Sequence, residues 1–161
     1  MNAKEMITKR GAMAKTLAIA ALTALALGMA PTATADGLRC SKATLRGTYA
    51  HTGTGVITAP PELAGPLANV GTETFDGRGG LTSSGFVSLN GNIVQVTETG
   101  TYTVNPNCTG TYTVQISPLG ITTSAFFVID DSANGLQVIS TDPGVVITGI
   151  ARRQFPVGDW R

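Results

Sequence analysis

The chain of 161 residues has a single histidine, His51, a side chain whose charge changes near neutral pH. Two carboxylates, Glu73 and Glu98, and three tyrosines, Tyr49, Tyr102 and Tyr112, are the other groups with chemical potential. A histidine beside a buried carboxylate can exchange a proton with a substrate, because each shifts the other's pKa. His51 with Glu73 or Glu98 is therefore the candidate acid–base pair. The plainer alternative is a wetted histidine, with two carboxylates at a barrel mouth in water or paired with Arg46, Arg152 or Arg153. No Gly-x-Ser-x-Gly elbow occurs to support serine hydrolase chemistry. One histidine and two cysteines do not make a nitrogen–sulfur metal set. Asp130-Asp131 with Ser132 and Asn134 lacks the spacing of a calcium loop and reads as a solvated turn. Asp76-Gly77-Arg78-Gly79-Gly80 joins strand to strand, without the helix N-terminus that a phosphate cradle uses. No metal, no cofactor and no catalytic signature is expected.

The elements that must hold these groups are strands. Thr99-Gly100-Thr101-Tyr102-Thr103-Val104 recurs as Thr109-Gly110-Thr111-Tyr112-Thr113-Val114, with Asn105-Pro106-Asn107-Cys108 between the copies. Alternating Thr with Tyr or Val is a period-2 pattern and Asn-Pro-Asn is a turn signal, so the pair predicts a β-hairpin. The same grammar places strands near 47–57, 68–76, 81–89, 92–104, 108–116, 121–129, 135–141 and 145–153. A short helical turn over 41–45 is the one helical signal, with Ser41 as its cap. Asn90-Gly91 predicts a type I′ turn, whose two central residues need positive φ. Short links favour a meander. Eight meandering antiparallel strands lose their edges most simply by closing into an up-and-down barrel, and a two-sheet sandwich is the alternative.

Alternation then assigns faces. In 92–104 the even positions are the more apolar, so Glu98 and Tyr102 point inward; in 108–116 the even set brings Tyr112 inside. Both tyrosines can be inside only across an odd-length loop or a bulge. Tyr49 and His51 share a face, as do Glu73 and Phe75. The histidine, two glutamates and three tyrosines thus all look toward one interior.

The ends and the totals narrow the setting. Lys4, Lys9, Arg10 and Lys15 precede an apolar run from Leu17 to Ala30, and Ala33-Thr34-Ala35 is a small-x-small cleavage motif. Residues 1–35 therefore read as a secretory signal peptide cut after Ala35, too short in its apolar run for an integral membrane span. Residues 36–154 form one barrel domain and 155–161, with Trp160, a C-terminal tail. Without the signal, seven basic and nine acidic residues remain, a net charge of −2. That balance gives no footprint for nucleic acid. Cys40 and Cys108 both survive the cut, and an oxidising compartment, secreted or periplasmic, predicts a bridge between them.

Gly47-Thr48-Tyr49 opening the first strand, and Arg152 or Arg153 closing the last, resemble lipocalins and other calycin barrels. There a Gly-x-Trp and a late Arg meet at the closed end; this chain has Tyr in place of Trp. Phe75-Asp76-Gly77-x-Gly79 and the Gly-Thr-Tyr-Thr-Val hairpin look more like small secreted bacterial barrels, similar to allene-oxide-cyclase-like and dirigent-like barrels. The resemblance implies a cavity for a small, mostly apolar molecule. Tyr49, Tyr102, Tyr112 and Phe127 would form its walls, and His51, Glu73 and Glu98 its polar contacts. A cyclase- or isomerase-type enzyme in the same barrel, and a structural or surface-interaction protein with a packed core, are the alternatives. Oligomeric state and ligand identity stay open at this level.

Overall fold

The structure, a computed structural model, describes residues 39–130 and 132–154. The expected signal peptide with its cut after Ala35, and the tail 155–161, lie outside the described residues. Eight strands follow one another: β1 Gly47–Ile57, β2 Gly65–Phe75, β3 Gly80–Leu89, β4 Asn92–Val104, β5 Thr109–Ser117, β6 Ile121–Ile129, β7 Gly135–Ser140 and β8 Val145–Arg153. Each pairs antiparallel with the next, and β1 pairs with β8, so the sheet closes as an up-and-down barrel. Closure gives every strand two neighbours and leaves no edge. The two-sheet alternative therefore does not occur.

Turn chemistry sets the register. Asn90 and Gly91 have φ of 50° and 84°, the pair of positive values that a type I′ turn needs. In the β4–β5 hairpin, Val104 pairs with Gly110, so five residues separate the last rung. The extra residue is absorbed at Cys108, whose φ of 63° is left-handed, in the manner of a turn followed by a bulge. Tyr102 consequently pairs with Tyr112, and both point inward.

The two ends of the barrel differ. At one, a 3₁₀ turn over Lys42–Leu45 lies under the sheet with Leu45 fully buried. Leu45 packs with Tyr49, Phe75, Leu81, Tyr102, Phe127, Ile129 and Leu136 into a solid plug. Phe75 sits edge-on to Tyr49 and Tyr102, with ring centroids 5.5 and 5.0 Å apart, the arrangement that aromatic quadrupoles favour. The Tyr102 hydroxyl donates to the Lys42 carbonyl at 3.0 Å. A disulfide joins Cys40 to Cys108, with Cα atoms 4.9 Å apart, and pins the incoming chain to the β4–β5 turn. At the other end the connections after Ile57, Leu89, Ser117 and Ser140 surround an opening.

Candidate functional site

Above the plug the barrel is not filled. A cavity of about 160 Å³ runs up the lumen to the open end. Its upper wall is aliphatic, from Leu63, Leu67, Leu89, Leu119, Ile121 and Ile147. Lower down, the lining becomes polar, with Asn69, His51, Glu73, Glu98 and Tyr112. Small residues on the inward face make the room. Gly71 and Gly85 pair across β2 and β3 and leave space where larger side chains would stand. A Cβ on Gly71 would meet the Ser84 carbonyl at 2.4 Å and the His51 ring at 3.0 Å.

The strand register explains how the polar groups meet. Glu73 on β2 pairs with Ser83 on β3, which pairs with Glu98 on β4, so the three share one rung of the inner surface. Two strand spacings separate the acidic residues' backbones, roughly 10 Å, and both side chains face the lumen. His51 pairs with Gly71, one inward position above Glu73, and Asn69 pairs with Gly53, one position above His51. A polar stripe thus climbs from the two carboxyls toward the mouth.

Its electrostatics follow from burial. Glu73 is only 8 % exposed. Desolvation, followed by the neighbouring Glu98, pushes its pKa up to about 8, because a charge in this wall would lose its water and face a like charge. Glu98 is raised by burial and held down in part by the Ser83 hydroxyl. Burial lowers His51, which favours the neutral ring, and burial with the fields of Glu73, Glu98 and Asp142 pushes the Tyr112 phenol up. No lysine or arginine is among the residues lining the cavity. Two buried atoms on the stripe, His51 Nδ1 and Asn69 Oδ1, have no hydrogen-bond partner among the described residues.

Of the residues singled out from sequence, the structure brings His51, Glu73, Glu98 and Tyr112 together around the lumen. Tyr49, Tyr102 and Phe127 point inward too, but they lie in the plug below the cavity and do not line it. Phe127 reaches the site only indirectly, through its stacking on Tyr112 at 6.3 Å. Asn69 and Ser83 carried the same parity signal as Glu73 and Leu81, and sequence reasoning missed them.

Arg153, not Arg152, closes the barrel. Its guanidinium lies 4.7 Å from the centre of the Tyr49 ring and donates to the Tyr49 hydroxyl. The same group donates to the carbonyls of Arg46, Thr44 and Ala133. This charge is spent on the plug and on backbone acceptors. Asp130 accepts from the Ser132 hydroxyl and the Asn134 N–H, which makes it a turn residue. Among the described residues, no group of three or more His, Cys, Asp or Glu could hold a metal ion. No helix among them is long and apolar enough to cross a membrane. Gly47, Tyr49 and Arg153 meet at the plugged end. No protein-family model matches the chain, and no curated protein or solved structure matches it either.

Proposed function

We propose that this chain is an exported, non-enzymatic binding protein, secreted or periplasmic, whose barrel lumen holds a small, mostly apolar ligand. The observation that carries the reading is the cavity of about 160 Å³, open at an aliphatic rim and closed below by an aromatic plug. That volume is of the order of an engineered apolar cavity that holds benzene, so the enclosed part of the ligand is compact. Export rests on the Ala33-Thr34-Ala35 motif and on a Cys40–Cys108 bridge, which an oxidising compartment maintains. Native mass spectrometry on protein recovered from its own host tests it. An added mass that survives native ionisation and vanishes on denaturation is the expected result. A bare mass, together with failure to take up toluene in solution, would overturn the reading.

A second reading is favoured by one observation: Glu73 and His51 line the same lumen from adjacent strands, where burial pushes the carboxyl up to about 8 and the imidazole down. Such a pair could serve a cyclase- or isomerase-type reaction, with Glu73 as acid and His51 as base. It predicts that a bound molecule leaves chemically changed. Recovery of the host-derived ligand unaltered after prolonged incubation would count against it.

A further inference from the structure

The lumen's own chemistry narrows the ligand class, an inference that rests on the binding reading above. Two carboxyls share one rung low in the cavity, and no lysine or arginine lines it. Glu73 is nine-tenths buried on that rung, with Glu98 facing the same lumen. Higher on the same stripe, Asn69 Oδ1 is an acceptor without a donor, and His51 Nδ1 lacks a partner as well. Buried acceptors are normally satisfied, and a wall left with several of them is complementary to a molecule that brings donors. The polarity also has a direction: carboxyls deep, aliphatic side chains at the mouth. We propose that the ligand is a small amphiphilic amine, its ammonium seated between Glu73 and Glu98 and its apolar body lying toward the rim.

An ammonium fits where a hydroxyl fits less well. It presents three donors and supplies the missing positive charge, and charge-assisted hydrogen bonds are about twice as strong as neutral ones. The groups facing the acid pair are Tyr49 and His51 from β1 and Tyr112 from β5. The polar lumen positions on β6 and β7 are Thr123 and Ser140, and β8 adds only uncharged residues such as Gly149 and Ala151, with Arg153 below them committed to Tyr49. None of them provides a competing cation. Seating an ammonium ionises Glu73, so binding releases a proton near neutral pH and tightens as pH rises toward 8.

Isothermal titration calorimetry on the disulfide-bonded protein, expressed from the full chain, tests this with four probes of similar size. They are 2-phenylethylamine, 2-phenylethanol, 3-phenylpropionate and toluene, each run in two buffers of different ionisation enthalpy. The expected result is an amine affinity about tenfold or more above the alcohol, negligible binding of the acid, and proton release for the amine alone. Glu73→Gln combined with Glu98→Gln should erase the amine's advantage over the alcohol. If the alcohol or the acid matches the amine, the amine inference is overturned while the lumen reading stands. If toluene enters and the amine does not, the outcome is the same. If no probe enters, both are overturned. The comparison among probes on the unaltered protein does not depend on whether the double variant folds.

Discussion

Glu73 stores the clearest consequence of a single position. Its folded pKa of about 8 lies above the ordinary 4.5, through burial first and Glu98 second. The native state therefore keeps a proton that the unfolded chain gives up. Stability is fully present below pH 4.5 and is lost as pH rises through 8. His51 works with the opposite sign: burial lowers its pKa, so its contribution is present above 6.5 and is lost as pH falls. Between pH 6.5 and 8.5 the histidine completes only the tail of its titration and Glu73 dominates. Urea unfolding should then show a decline of about 2 kcal/mol across that window for Glu73 by itself. Glu73→Gln should flatten the profile by at least half. An unchanged slope in Glu73→Gln would show that this carboxyl does not carry the effect. These residues were legible in the sequence because alternation fixes which face a side chain takes. Alternation does not fix height along the barrel, and height decides between lining a cavity and filling a plug. That is why Tyr49 and Tyr102 looked equivalent to Tyr112, although only Tyr112 borders the open lumen.

At the scale of elements, the strands were readable almost to the residue, since β1, β4, β6 and β8 begin and end where pattern and punctuation place them. β2 begins at Gly65, three residues before the alternation suggests, because Pro66 reads as a breaker. In the barrel it takes a rung opposite Val56 while its carbonyl accepts from the Asn90 N–H at 2.8 Å. The curvature was not readable, because it depends on which glycines face inward across from a neighbouring backbone. Gly100 is such a position: a Cβ there would sit 2.0 Å from the Thr113 carbonyl oxygen. Backbone, unlike a flexible side chain, cannot step aside. Gly100→Ala should cost about 3 kcal/mol or more, as overpacking at a rigid site does. Gly91→Ala has nothing within 4 Å and carries only the left-handed strain of its turn, φ +84°, about 1 kcal/mol. Chemical denaturation of the two variants side by side checks the ordering. Equal losses would mean that the inner glycines do not set the strand path.

The whole molecule divides its labour along the barrel axis. The plugged end gathers the large buried aromatics, the Arg153 contacts and the disulfide, whereas the open end has an aliphatic rim and the longest single connection, 58–64. A barrel that holds a ligand, as proposed, needs a rigid base and a mouth that can open, and local stability should follow that gradient. The bridge closes a chain separation of 68 residues, which in the loop-entropy account stabilises by about 4 kcal/mol. Because it tethers the base, its loss should be felt as global unfolding and not as loosening of the mouth. Amides at the base, such as Tyr102 N–H on the Gly79 carbonyl and Ile129 N–H on the Cys108 carbonyl, should exchange only when the whole barrel opens. Those at the mouth, Thr58 N–H on the Gly144 carbonyl and Gly120 N–H on the Ile116 carbonyl, should exchange through local opening. Hydrogen exchange on a Cys40→Ser, Cys108→Ser variant would separate the two classes. Base amides should speed up in step with the lost global stability, and mouth amides should keep their rates until global opening overtakes them. If the mouth accelerates first while the base stays protected, the bridge serves the entrance and the division proposed here is reversed.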